Sequence, residues 1–369
     1  MAKVSETTLE INLAALKHNF EFLKSKLQNN TLFLAVVKAF AYGSDAAVIA
    51  HFLQKMKVDY FAVAYINEGV ALRKAGIKTP ILVLHPQLNN LSLAIEHCLE
   101  PSLYTLKIMQ EFERLTIQQH QKHYPVHIKF NTGLNRLGFE ANELDLILKQ
   151  LSKTKTLRVK SVFSHLAASE DLEEKDFTLG QIDRYKNLST KFIQGLGYPV
   201  IRHLCNTSGV LNYPEAHFDM VRCGIGLFGY GNAHKDAQNF RPIAALKSII
   251  SQIHSVNKGE SVGYNRGFIS PLGSEIATIP IGHADGIGRH FGHGVGVVSI
   301  CGKKAPIVGN VCMDMIMVDV SGIDCKEGDE VVLFGPEFSA ESAAEVANTI
   351  SYELITGISQ RVKREILTK

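Results

Sequence analysis

Short β-rich runs alternate with helical patterns through the first two-thirds of this chain, and no other feature constrains its fold as much. Strands are expected near 33–38, 61–65, 81–84, 102–104, 126–130, 159–164, 200–204 and 219–222. Helical periodicity fills most of the gaps, as in 12–27, in 67–75 with Gly76 as a stop, and in 176–196. Eight strand–helix units over about 230 residues fit a (β/α)8 TIM-like barrel. A doubly wound sheet is the alternative, but no G-x-G-x-x-G turn follows an early strand. Near residue 240 the pattern changes, and strands then follow one another without helices: 246–253, 275–281, 294–301, 315–320 and 330–334. A short helix over 340–350 and a basic tail come last. The expected division is an α/β barrel over 1–240 and a mainly antiparallel β domain over 241–369, whose edge takes in part of 1–10.

Bulk properties narrow the function. With 369 residues and 46% hydrophobic content the chain can bury one large core or two medium ones. Net charge is +3, with acids and bases interspersed, so there is no basic stripe to bind nucleic acid. The N-terminal residues lack an apolar signal core, and no apolar run approaches the ~18 residues of a membrane span. The six cysteines show neither CxxC pairing nor metal-ligand spacing. Reduced thiols in a cytoplasmic protein without a metal site are the expectation.

The chemistry lies at the strand ends, where a barrel places its active site. Six apolar residues, Leu32 to Val37, deliver a single lysine, Lys38. A solvent-starved amine has a depressed pKa and attacks carbonyls. His85, Lys129 and His165 end strands three, five and six. Strand seven runs into Asn206-Thr207-Ser208-Gly209, and strand eight ends at Arg222 before Cys223-Gly224-Ile225-Gly226. Hydroxyls and bare backbone N–H groups in those two loops make a phosphate cradle. An amine opposite such a cradle points to pyridoxal phosphate on Lys38. Arg222 would face the pyridine nitrogen. Arginine cannot accept a proton, so the ring stays neutral and re-protonation of the substrate carbon outpaces transamination.

At this point the chain resembles a known family, the bacterial alanine racemases of pyridoxal fold-type III, from about Leu9 to Arg364. The segment Val37 to Gly43 resembles the cofactor-lysine motif, and Lys129 to Gly138 the segment carrying the substrate-carboxylate arginine, here Arg136. Val221 to Ile225 matches the pyridine-arginine segment, and Ser261-Val262-Gly263-Tyr264 the segment of the catalytic tyrosine. Val308 to Asp314 and Asn348 to Glu353 match two further motifs. The resemblance implies a homodimeric isomerase that interconverts L- and D-alanine and supplies D-alanine for peptidoglycan. It implies two bases, Lys38 on one face of the substrate and Tyr264 of the partner subunit on the other. It also implies that His165 bonds that tyrosine and Arg222 bonds His165. Tyr42, Tyr352, Thr207, Gly224 and Ile225 would contact the phosphate, with Asn206 beside them. Arg136 and the Met313 backbone, next to Asp314, would hold the substrate carboxylate. Lys129 stands where some relatives carry a carbamylated lysine that orients the arginine.

Several positions depart from the family pattern. Phe40 replaces an asparagine, Ser44-Asp45 replace His-Gly, Asn131 replaces an aspartate, Cys223 a proline and His283 a tyrosine. With Asn135, these leave open a racemase of broader specificity. A decarboxylase of the same fold would want a carboxylate where Arg222 stands. A non-catalytic carrier of the cofactor would need only the barrel.

Overall fold

The computed structural model describes residues 4–231, 238–336 and 338–368. Eight parallel strands close into a barrel: Leu32–Val36, Tyr60–Val63, Ile81–Val83, Glu100–Leu103, Tyr124–Lys129, Leu157–Phe163, Ile201–His203 and Met220–Cys223. The first and last pair in parallel, Leu32 opposite Met220 and Ala35 opposite Cys223, which removes both sheet edges. All eight expected strands are present. Several read as short apolar runs because they are covered on both faces, as in Tyr60–Val63, where all four residues are buried. Helices wrap the outside. Leu13–Ser25 begins at Asn12, whose side chain accepts the Ala15 N–H. Lys175–Leu196 ends at Gly197, whose φ of +73° suits glycine.

A nine-stranded sheet forms the second unit. Its order is Gln252–Val256, Ser274–Ile279, Ile316–Asp319, Lys303–Val308, Val297–Ile300, Glu330–Phe334, Ala244–Ile249, Thr8–Asn12, Lys363–Leu367. Neighbours run antiparallel except the final pair, where Thr8 opposes Lys363 and Asn12 opposes Leu367 in parallel. The structure departs from the sequence reading in four places here. The run 246–253 is two strands, because the chain breaks at Ile250 and Ser251. Lys303–Val308 is a strand the sequence hid, with Pro306 inside it. The basic tail is the edge strand Lys363–Leu367. The helix expected over 340–350 stops at Val346, and a second, Ser351–Thr356, carries Tyr352.

One continuous apolar core joins barrel and sheet, from Phe33 and Ile128 to Leu246, Ile279 and Leu354. Lys247 is buried in the sheet between Glu10 at 3.1 Å and Glu330 at 3.5 Å. Arg364, in the edge strand, donates to the carbonyls of Gly43 at 2.8 Å and Ser44 at 3.3 Å. The C-terminal strand is thereby fastened to the turn that follows Lys38.

Candidate active site

Lys38 leaves the first barrel strand at its C-terminal end and enters a left-handed turn. Ala39, Phe40, Ala41 and Tyr42 have φ of +51°, +55°, +54° and +54°, with no glycine among them. The turn closes through Ala41 N–H to Val37 O at 3.1 Å and Gly43 N–H to Ala39 O at 2.8 Å. Such backbone costs roughly 1–2 kcal/mol per residue and persists only where the surroundings enforce it. Glu68 does much of the enforcing. One of its oxygens accepts Ala39 N–H at 2.6 Å, and the other accepts Ala64 N–H at 2.7 Å and Tyr65 N–H at 3.0 Å. Gly43 lies so close to the Ile355 carbonyl that a Cβ has no room. The result is a rigid mount for the Lys38 amine. Burial and the nearby Arg136 cation hold its pKa below the usual lysine range, while Glu68 partly opposes them.

The amine opens into a cavity of about 590 Å³. Its wall carries four cations, Lys38, Lys129, Arg136 and Arg222, and no carboxylate among the described lining residues. His165, His85, Tyr42, Asn206, Thr207, Gly224, Ile225 and Tyr352 also line it. Four positive side chains with no acid on one wall call for a ligand with more than one negative group.

Arg222 is 4% exposed and held from below. It donates through Nη1 to His203 Nδ1 at 2.9 Å. Through Nη2 it donates to His165 Nδ1 at 3.0 Å and to the carbonyls of Ser164 at 2.7 Å and Leu204 at 2.9 Å. Burial lowers its pKa to about 10. A guanidinium only donates, so both histidines accept at Nδ1 and carry their hydrogen on Nε2. Burial and the Arg222 charge hold both well below the ordinary histidine range, so both are neutral. Phe163 stacks on His203 at 4.8 Å and presents its face to Arg222 at 5.3 Å and Lys129 at 5.8 Å. Lys129 is 6% exposed. Burial, then Arg136, Arg222 and Lys38, bring its pKa to about 8.

The cradle forms where strands seven and eight end. Asn206 caps the helix Thr207–Asn212, its side chain accepting Gly209 N–H at 2.9 Å. Thr207 Oγ1 accepts the N–H groups of Gly224 and Gly226, each at 3.3 Å. A Cβ on Gly224 would collide with the Tyr42 hydroxyl, so glycine is what lets Tyr42 reach the cradle. The Tyr42 ring stacks on Phe228 at 4.4 Å and lies 6.0 Å from Tyr352.

Three of the expected site residues lie elsewhere in the chain. Tyr264 is 74% exposed, on a turn held by Asn310 Nδ2–H to Tyr264 O at 2.9 Å. Met313 is also exposed, and neither residue lines the cavity. Asp314 pairs with Arg361 at 2.6 Å, and Arg361 is held in turn by Asp285 at 2.7 and 3.0 Å. Among the departures, Asp45 accepts Val48 N–H at 3.0 Å and starts the helix Ala46–Lys55. Asn131 braces the loop before Arg136. Its Oδ1 accepts Gly133 and Asn135 N–H, and its Nδ2 donates to Glu140 at 2.7 Å, where an aspartate would repel. The sequence reading missed Glu68, Phe163 and His203. The signal for His203 was a polar residue at the C-terminal end of a barrel strand, and for Glu68 an acid in the first turn of a helix.

The chain matches two family descriptions, "Alanine racemase, N-terminal domain" over residues 11–232 and "Alanine racemase, C-terminal domain" over 243–366. It is 36% identical to alanine racemase 1 of Caldanaerobacter subterraneus subsp. tengcongensis, over 98% of this chain and 95% of that one. Its structure matches that of an alanine racemase of Clostridium difficile 630 with a TM-score of 0.92 at 33% identity, covering 100% of this chain and 97% of the other. The alanine racemase of Bartonella henselae, solved with covalently bound pyridoxal phosphate, matches with a TM-score of 0.89 at 28% identity, over 99% of this chain and 100% of that one. With both domain descriptions matched and the identity running the length of the chain, this protein belongs to the alanine racemase family.

Proposed function

We propose that this protein is an isomerase that interconverts L- and D-alanine with pyridoxal phosphate held at Lys38. The observation that carries the reading is the lining of the cavity: Lys38, Arg136 and Arg222 with no carboxylate among the described residues, the Lys38 amine of lowered pKa standing in one cavity with a hydroxyl and N–H cradle. The residues fit the cofactor. Lys38 suits its aldehyde, Thr207, Gly224, Ile225, Asn206, Tyr42 and Tyr352 suit its phosphate, and Arg222 suits its ring nitrogen. When bound, pyridoxal phosphate supplies an electron-withdrawing ring that acidifies the hydrogen on the substrate α-carbon. The anchoring of Arg222 by two neutral histidines keeps a donor, not an acid, at that nitrogen.

Racemisation then needs one proton-transfer group on each face. Lys38 Nζ serves one. Tyr264 does not line the chain's own cavity, and in this reading the second face is served, as the family resemblance implies, by Tyr264 of the partner subunit in a homodimer. Its exposed turn, with exposed Met313 and Leu272 on the same unit, supports such a docking face. His165 accepts from Arg222 at Nδ1, which leaves its Nε2–H to donate to that phenol oxygen and favour its ionised form. Arg136 takes the substrate carboxylate. Because the Asp314 carboxylate is already paired with Arg361, only backbone around Met313 and Asp314 is left to assist it. Lys129 is carbamylated in this reading. Its neutral amine adds to CO2 and loses a proton, which replaces a cation beside Arg136 with an anion.

The test is loss of optical rotation of L-alanine in deuterated buffer, with α-deuterium entering both enantiomers. Tyr264→Phe should lower racemisation by ~10²–10⁴ in both directions. It should leave α-exchange of D-alanine through Lys38 and abolish that of L-alanine. Equal residual exchange from both enantiomers would end the two-base reading.

A further inference from the structure

Among the described residues Arg222 is a buried cation that touches no carboxylate, and a row of hydrogen-bonded side chains leads from it through the barrel. His203 Nε2 is 2.7 Å from Ser161 Oγ, Ser161 Oγ is 2.5 Å from His127 Nδ1, and His127 Nε2 is 2.8 Å from Glu100 Oε2. His127, Ser161 and His203 are fully buried, while the Glu100 side chain is 13% exposed. The direction is fixed at the Arg222 end. Arg222 can only donate, so His203 accepts at Nδ1 and donates from Nε2 to Ser161. With the Nδ1 of His127 unprotonated, Ser161 gives its single hydrogen to that nitrogen. His127 donates from Nε2 to an ionised Glu100, which can only accept. Every link points the same way, from a cation at one mouth of the barrel to an anion near the other. Tyr60 Oη donates to the same Glu100 oxygen at 3.4 Å.

Glu100 begins its strand, whereas Arg222 lies at the end of its own. Glu100 also lines a second cavity, of about 1030 Å³, with Arg158, Lys160, Arg202 and Asp219. That end of a barrel ordinarily serves stability alone. Here a chain of fully buried groups links it to the guanidinium. Hydrogen bonds in such a chain polarise one another, and the low local dielectric strengthens each of them.

We propose that Glu100 is a positioning residue for the reaction, its charge acting through His127, Ser161 and His203 to hold Arg222 oriented toward the cofactor ring. This rests on the function proposed above, so the first readout does without cofactor and substrate. In apoprotein with 15N-labelled histidine, wild type should show His203 and His127 as neutral Nε2–H tautomers with strongly downfield imidazole N–H protons. Glu100→Gln keeps the shape but removes the anion. The His203 N–H signal should move upfield, although the altered side chain is three hydrogen bonds away. Ser161→Ala, which cuts the chain, should move it as well. Adding Glu100→Gln to Ser161→Ala should move it no further. In the holoenzyme each single variant should lower kcat about tenfold with KM within about twofold, and the double variant should equal Ser161→Ala. Lys160→Ala, in the same cavity but outside the chain, should leave signal and kcat unchanged. A Glu100→Gln protein that melts lower but keeps the His203 signal and kcat would reduce the network to a structural role and overturn the proposal. So would equal effects from Lys160→Ala. If the His203 signal responds in a protein that lacks racemase activity, the relay stands and the proposed function falls.

Discussion

At the scale of single residues, two side chains are held at a cost. Phe40 sits at φ +55° with 58% of its surface exposed, so it bears left-handed strain and buries little in return. Asparagine tolerates that region, because its short polar side chain bonds locally. Phe40→Asn should therefore raise stability by about 1 kcal/mol, read as a higher urea midpoint with an unchanged slope. Lys129 bears an electrostatic cost. Its pKa falls from 10.5 to about 8, so the folded state binds fewer protons than the unfolded one between those values. The folding contribution of this group is fully present above pH 10.5 and is lost as pH falls through about 8. Carbamylation needs the neutral amine. A 13C signal from bound 13CO2 should grow as pH rises through about 8 at fixed dissolved CO2, and be absent from Lys129→Ala. An untouched amine across that range would refute the modification.

At the scale of elements, the site depends on a carboxylate that joins two of them. Glu68 lies in the first turn of the helix Ile66–Lys74 and also holds the Ala39 N–H of the lysine turn. Its two oxygens serve three backbone donors on two segments. Glutamine offers one oxygen and one amide, so one side must be left unsatisfied. Glu68→Gln should cost about 1–3 kcal/mol. Because Glu68 raises the Lys38 pKa against burial and Arg136, its loss should also make the amine neutral at lower pH. Trinitrophenylation rates of the apoprotein against pH would show this as a profile moved to lower pH, and an unmoved profile would place the influence of Glu68 in the backbone alone.

At the scale of the whole molecule, the proposed mechanism divides its two proton-transfer groups, Lys38 in the barrel and Tyr264 on an exposed turn of the sheet unit. Inactive Lys38→Ala and inactive Tyr264→Phe subunits should therefore complement one another. In an exchanged equal mixture half the dimers are hybrids, and each hybrid has one intact site. Activity should return to about a quarter of the wild-type value, as expected for an isologous dimer. No recovery after demonstrated subunit exchange would favour a site complete within one chain.

Strands such as Leu32–Val36 and Tyr60–Val63 were legible because a strand covered on both faces is apolar throughout, and Lys38 and Arg222 stood out as charges ending such runs. The two loops after the last strands were picked out by their short hydroxyl and glycine residues, and the fold brings them together where Thr207 Oγ1 accepts the Gly224 and Gly226 N–H groups. Other features needed the fold. Thr8–Asn12 and Lys363–Leu367 pair from opposite ends of the chain, and no local pattern records a partner so distant. Lys303–Val308 was masked by two lysines and Pro306, which local propensity counts against a strand. The left-handed turn after Lys38 contains no glycine, so nothing in its residues announces a backbone that only Glu68 and the C-terminal segment enforce. His127, Ser161 and His203 are buried polar residues on three strands of the barrel. Closing the barrel sets them side by side on three successive strands, and that closure, not their sequence, turns three isolated polar groups into a path between Glu100 and Arg222.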